Sequence, residues 1–200
     1  MAGLTLSESR NEVTGVILSG GRGRRMAGED KGLMEWAGKP LISWTLDRLS
    51  RQAGKILIVA NRNIARYKAF GYPVISDSIP GYLGPLAGIL SAMQVAQTRY
   101  ILCVPCDGPK LPLDLLQRLW AESANREPRA ACVYDGQRIQ PLYNLLDVGL
   151  IASINDELKA GNRALEYWML KQDPVLVDYS KQGECFTNIN TKQELDNVKF

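Results

Sequence analysis

Short apolar runs rich in β-branched residues alternate with helical patterns, and this alternation constrains the fold more than any other feature of the chain. VTGVIL at 13–18, KILIVA at 55–60, a very short run at 74–76, and the runs at 100–104 and 130–134 read as strands. Between them, 40–52, 86–96 and 113–122 carry apolar residues at helical spacing. Ile42, Leu46 and Leu49 share one face, as do Leu86, Ile89, Leu90 and Met93, and then Leu115, Leu116 and Leu119. Pro40 opens the first of these helices, where its missing N–H costs nothing. Strand and helix in alternation, joined by short connections, close into a parallel sheet covered on both faces. Right-handed crossovers make that sheet doubly wound. The expected class is therefore α/β, a doubly wound, mostly parallel, Rossmann-like sheet flanked by helices.

Beyond Asp135-Gly136 the pattern changes. A strand is expected at 141–146, helices at 150–158 and 164–171, and a short strand at 175–177. Thr191-x-x-Glu194 has the form of a capping box opening a last helix. The length of 200 residues suits one domain, expected over 13–200 behind a flexible tail over 1–12.

Composition excludes several chemistries. The chain has no histidine, which removes Ser-His-Asp and Cys-His catalysis, HExxH zinc sites and imidazole proton shuttles. Net charge is +3, too mild for nucleic acid as the main partner but suited to a small anionic ligand. No apolar run approaches the ~18–20 residues of a membrane span, and residues 1–12 lack the apolar core of a secretory signal. A cytoplasmic protein that binds neither nucleic acid nor membrane is expected. The cysteines at 103, 106, 132 and 185 are then expected to be reduced and structural. Cys103-Val104-Pro105-Cys106 ends a strand and precedes a turn, whereas a redox pair should open a helix. A zinc site would have to recruit Cys132 and Cys185 at no familiar spacing.

In an open α/β sheet, ligands bind beyond the carboxyl ends of the strands. After the first strand comes Ser19-Gly20-Gly21-Arg22-Gly23-Arg24-Arg25-Met26, then Gly28, Asp30 and Lys31. Its glycines let backbone N–H groups approach phosphate oxygens, and its cations add charge. It matches neither G-x-G-x-x-G nor a Walker loop, and the plain alternative is a basic surface loop. The next three strands end in Asn61, Asp77 and Asp107. Each could be a turn former; together they read as contacts to a nucleoside and a metal. Asp107 can hold Mg²⁺ against phosphate oxygens. Gly84-Pro85-Leu86-Ala87-Gly88 lets a ring or ribose approach the backbone at a helix start. Asn188 and Asn190 stand at i and i+2, on one side of an extended segment.

These motifs in this order resemble the molybdenum cofactor guanylyltransferases, nucleotidyltransferases related to the sugar-1-phosphate enzymes. The resemblance rests on Leu18-Ser19-Gly20-Gly21-x-x-x-Arg25-Met26, Asp30-Lys31-Gly32, Gly38-Lys39-Pro40-Leu41, Asn61-Arg62 and Asp77-Ser78. It continues through Gly84-Pro85-Leu86-Ala87-Gly88, Cys106-Asp107-Gly108-Pro109, Asp135-Gly136 and Asn188-Ile189-Asn190-Thr191, spanning roughly 13–195. Two positions depart from the family: Ala27 replaces the glycine expected after Arg-Met, and Gln140 stands where His is frequent.

The resemblance implies transfer of GMP from GTP to the terminal phosphate of molybdenum-molybdopterin, with Mg²⁺ and release of diphosphate. It implies a GTP site of Leu18, Ser19, Gly20, Gly21, Lys31, Asn61, Asp77 and Asp107. Arg25, Lys31 and Asp107 would be catalytic, Asp107 would bind the metal, and Asn188, Asn190 and Arg163 would face the molybdopterin. Residues 13–110 would then be the nucleotide half and 111–200 the second-substrate half. Molybdenum-insertion proteins and molybdoenzyme-specific chaperones are the implied delivery partners. The competing expectations are a CTP-using or sugar-1-phosphate nucleotidyltransferase and a non-catalytic nucleotide-binding module. With a phosphate oxygen as nucleophile no general base is required, which agrees with the missing histidine.

Overall fold

The computed structural model describes residues 10–19, 29–81, 83–125 and 130–187. Strand β1 (Val13–Leu18) lies inside a seven-stranded sheet, between β4 (Lys55–Val59) and β6 (Tyr100–Pro105), parallel to both. The short β5 (Val74–Ile75) extends the β4 side in parallel. On the other side stand β8 (Ile139–Asp147), β7 (Ala130–Tyr134) and β9 (Val175–Asp178), giving the order β5-β4-β1-β6-β8-β7-β9.

Strand β8 is antiparallel to both of its neighbours, while β7 and β9 pair in parallel. The reason is local. Asp135-Gly136 turns the chain straight back, with Gly136 at φ 97°, and a connection that short joins only antiparallel strands. The sheet is thus mostly parallel, as expected, but β6 pairs with β8 rather than with the β7 that precedes it in sequence.

Alternation along the strands sends successive side chains to opposite faces. Ile17, Leu102, Val104 and Leu145 pack under α1 (Leu41–Leu49) and α4 (Leu115–Glu122), on Ile42, Leu46, Leu49, Leu115 and Leu119. Val16, Leu57, Ile101 and Cys103 pack under α3 (Pro85–Val95), α5 (Ile151–Lys159) and α6 (Leu165–Lys171), on Leu86, Leu90, Ile154 and Trp168. Cys103 and Cys106 therefore enter opposite cores and do not form a redox pair across the strand. Burial raises the thiol pKa of each.

Two elements lack an apolar repeat long enough to read. A hairpin of β2 (Glu35–Trp36) and β3 (Lys39–Pro40) turns at Ala37 and Gly38, φ 47° and 82°. A one-turn helix, α2 (Ile64–Lys68), follows β4. Among the described residues no helix is long and apolar enough to cross a membrane. The capping box at 191–194 lies outside them.

Candidate active site

Register brings the parallel strands to a common rim. Leu18 is level with Val59 and with Pro105, and Val59 with Ile75. Ser19, Asn61, Asp77 and Asp107 consequently leave the sheet along one edge, the place where such sheets bind ligands.

Asp107 is 7% exposed, and Lys31 Nζ lies 3.3 Å from its Oδ2. Burial raises the Asp107 carboxyl pKa, and the Lys31 ammonium draws it back. Lys31 sits in a 3-10 turn (Lys31–Leu33), 76 residues from its partner. The residues around it explain how it arrives there. Tyr67 of α2, fully buried, donates from its hydroxyl to Asp30 Oδ1 at 2.6 Å. Asn63 Nδ2 donates to Asp30 Oδ2 at 2.9 Å, Arg62 Nε lies 3.4 Å from the same oxygen, and an Arg62 guanidinium N–H donates to the Glu29 carbonyl at 2.7 Å. A methyl group on Gly32 would lie 2.7 Å from Tyr67 Oη and 3.1 Å from Cys106 Sγ, so only glycine lets the backbone pass.

Asn61 and Asp77 form a second unit. Asn61 Nδ2 donates to Asp77 Oδ2 at 2.7 Å, and the Asp77 N–H donates to Asn61 Oδ1 at 2.9 Å. Burial raises the Asp77 pKa, partly offset by the Asn61 hydrogen bond. A methyl group on Gly88 of α3 would lie 3.3 Å from Leu18 Cδ2 and 3.5 Å from Asp77 Oδ1, so Leu18, Asp77 and this glycine enclose one spot. Gly84, at φ 90°, caps α3, and a methyl group there would lie 3.6 Å from the Arg163 carbonyl oxygen. Arg163 thus borders the loop that opens α3.

The structure brings Leu18, Ser19, Lys31, Asn61, Asp77 and Asp107 to the rim, with Arg163 beside it. Gly20, Gly21, Arg25, Asn188 and Asn190 lie outside the described residues. The sequence reading did not single out Tyr67 and Asn63; a tyrosine six residues after a strand-end asparagine carries no signal without the turn of helix between them. Gln140, where the family resemblance led to an expectation of histidine, donates from Nε2 to Asp135 Oδ2 at 2.6 Å. The N–H groups of Gln137 and Arg138 both donate to Asp135 Oδ1 at 2.8 Å. Burial opposes ionisation of Asp135, but these hydrogen bonds lower its pKa on balance.

Among the described residues no three Asp, Glu, Cys or His gather into a metal cage. Asp107 offers hard carboxylate oxygens, the donor type a divalent cation such as Mg²⁺ takes alongside phosphate and water oxygens. A cation held there would oppose the burial that disfavours ionisation of Asp107, as the Lys31 ammonium already does.

The model of the MobA-like NTP transferase domain family matches residues 15–175. The molybdenum cofactor guanylyltransferase of Shewanella loihica is 45% identical over 183 residues, 92% of this chain and 93% of the relative. That of Shewanella sediminis is 44% identical over the same shares. Among solved structures, molybdopterin-guanine dinucleotide biosynthesis protein A from Archaeoglobus fulgidus superposes with a TM-score of 0.75 at 22% identity, covering 92% of this chain and 95% of its own. The 4-diphosphocytidyl-2C-methyl-D-erythritol synthase of Anaerococcus prevotii gives 0.72 at 15%, covering 94% of each chain. These two likenesses concern the fold.

Proposed function

Because the chain belongs to the molybdenum cofactor guanylyltransferases of the MobA-like NTP transferase family, we propose that it transfers GMP from GTP to the terminal phosphate of molybdenum-molybdopterin. Diphosphate leaves, and the guanine dinucleotide cofactor is the product. The observation that carries the site assignment is the Lys31–Asp107 pair at the carboxyl rim of the sheet.

The attacking group is already an anionic phosphate oxygen, so the protein has to orient and to neutralise rather than remove a proton. Lys31 binds the GTP phosphates and opposes the charge that grows on the leaving diphosphate. Arg25, from the same loop, shares that work. Gly20 and Gly21 offer backbone N–H groups to the phosphates, with Ser19 before them at the end of β1. Leu18 and Gly88 form an apolar floor for the base, while Asn61 and Asp77 present polar atoms to the nucleoside. Asp107 would hold Mg²⁺, which would supply Lewis-acid charge compensation. Asn188, Asn190 and Arg163 face the molybdopterin. Residues 13–110 form the nucleotide half and 111–200 the second-substrate half, in a cytoplasmic enzyme that receives its substrate from molybdenum-insertion proteins and passes its product to molybdoenzyme chaperones.

Base choice tests the reading. Guanine is wider than cytosine and offers N1–H and N2–H₂ donors. Gly20 leaves room that the alanine of Leu-Ala-Ala-Gly relatives fills, and Pro85-Leu86-Ala87-Gly88 offers a second backbone edge. A donor left unpaired costs ~1–3 kcal/mol, so GTP is favoured over CTP at least about tenfold in kcat/KM. A competition assay with both nucleotides and molybdopterin decides this; equal incorporation of GMP and CMP overturns it.

A further inference from the structure

Ser19, just past β1, and Asp30, just before Lys31, converge on one hydroxyl. Tyr67 Oη donates to Asp30 Oδ1, sits against the Gly32 backbone, and neighbours Ser19 Oγ. Ser19 Oγ is itself buried and completes no hydrogen bond of full geometry with the described residues. Cys106, the residue before Asp107, lies against the same face of Gly32. We propose that Tyr67 is a positioning residue for nucleotide binding: its hydroxyl, acting through Asp30 and Gly32, fixes where the Lys31 ammonium stands relative to Asp107.

The argument is geometric. Asp30 and Lys31 are adjacent in the chain, yet their side chains are anchored to different elements. Asp30 is held by Tyr67, Asn63 and Arg62, whereas Lys31 reaches Asp107 beyond β6. The backbone between them is thereby clamped from two sides. A lysine carries four rotatable bonds, and its ammonium is precise only when its Cα is fixed. Tyr67 supplies that fixity because its ring is fully buried and cannot follow the loop. Burial also pushes its phenol pKa far above the ordinary value, so the hydroxyl remains a donor to the Asp30 carboxylate. Loss of one such charge-assisted hydrogen bond corresponds to roughly tenfold in an equilibrium.

The proposal rests on the guanylyltransferase reading, and the test separates the two. Tyr67→Phe, Lys31→Ala and the double variant are compared for melting temperature, GTP affinity with Mg²⁺, and kcat and KM for GMP transfer. Tyr67→Phe keeps the ring and is expected to retain the fold. It should weaken GTP affinity and lower kcat/KM about tenfold in an otherwise wild-type chain, but less than about twofold in the Lys31→Ala background, since residues that act as one unit are not additive. Multiplicative losses, or no loss in Tyr67→Phe, overturn the proposal. Should Tyr67→Phe not fold, Asp30→Asn enters the same cycle, with the conservative Asp30→Glu expected to retain more affinity than Asp30→Ala; the reverse order overturns it. If wild-type protein binds GTP but transfers no GMP to molybdopterin, the guanylyltransferase reading fails, and the GTP-affinity cycle alone still decides the role of Tyr67.

Discussion

Asn61 and Asp77, at the ends of neighbouring strands, exchange two hydrogen bonds, so each fixes the other's orientation. The Asp77 backbone N–H occupies Asn61 Oδ1, which forces Asn61 to present its NH₂ to the carboxylate. The pair is a matched donor and acceptor with one negative charge.

Asn61→Asp breaks that match by placing two carboxylates within hydrogen-bond distance. They cannot both ionise cheaply, so one is driven to keep its proton. GTP affinity is expected to fall at least about tenfold at pH 8 and less at pH 5, where a shared proton restores a hydrogen bond. Titration calorimetry at both pH values checks this; an equal loss at the two counts against it.

Asp77→Asn tests the cost of the charge itself. The folded-state pKa of Asp77 is raised by burial. A raised carboxyl contributes stability that is present below its unfolded value and is lost as pH climbs through the folded one. The ligand-free variant is therefore expected to melt higher than wild type at pH 7–8 and alike at pH 3, while binding GTP less well. Thermal melts without nucleotide across that range provide the measurement.

Asp107→Asn removes the carboxylate that pairs with Lys31. Turnover should drop ~10²-fold or more, the scale for loss of a transition-state electrostatic group. Steady-state rates at saturating and limiting Mg²⁺ check it, and near wild-type rates at limiting Mg²⁺ rule the metal role out.

Gly108→Ala tests packing beside the site. The added methyl would lie 2.2 Å from Tyr143 Oη and 3.2 Å from its Cζ. Overpacking of this kind costs about 1–3 kcal/mol. Tyr143→Phe removes the closest atom, so the double variant should recover most of the lost melting temperature. A double variant no more stable than Gly108→Ala would place the strain elsewhere.

The parallel half of the sheet is readable in sequence because β1, β4 and β6 are buried on both faces and appear as nearly continuous apolar runs. For the same reason Asn61, Asp77 and Asp107 are visible as polar residues ending those runs. The position of β8 is not readable, since the run at 141–146 states that a strand exists and leaves its neighbours open. Only the tight turn at Gly136, combined with the free edge of β6, decides its place. The Tyr67 clamp is hidden for another reason. Its partners, Asp30, Gly32 and Ser19, come together only after β4 and β1 have paired, and no local spacing encodes that meeting.

The sheet terminates at β5, two residues long, and at β9, four residues long, with its longer strands enclosed between them. An exposed strand edge is a row of open donors and acceptors that can template pairing with another chain, and shortness is one of the simplest defences against it. Here the apolar strands of the interior, whose sequences would aggregate if laid bare, are bordered by edges too brief to recruit a foreign strand. The arrangement that sets Ser19, Asn61, Asp77 and Asp107 along one rim thus also guards the sheet against edge-to-edge pairing.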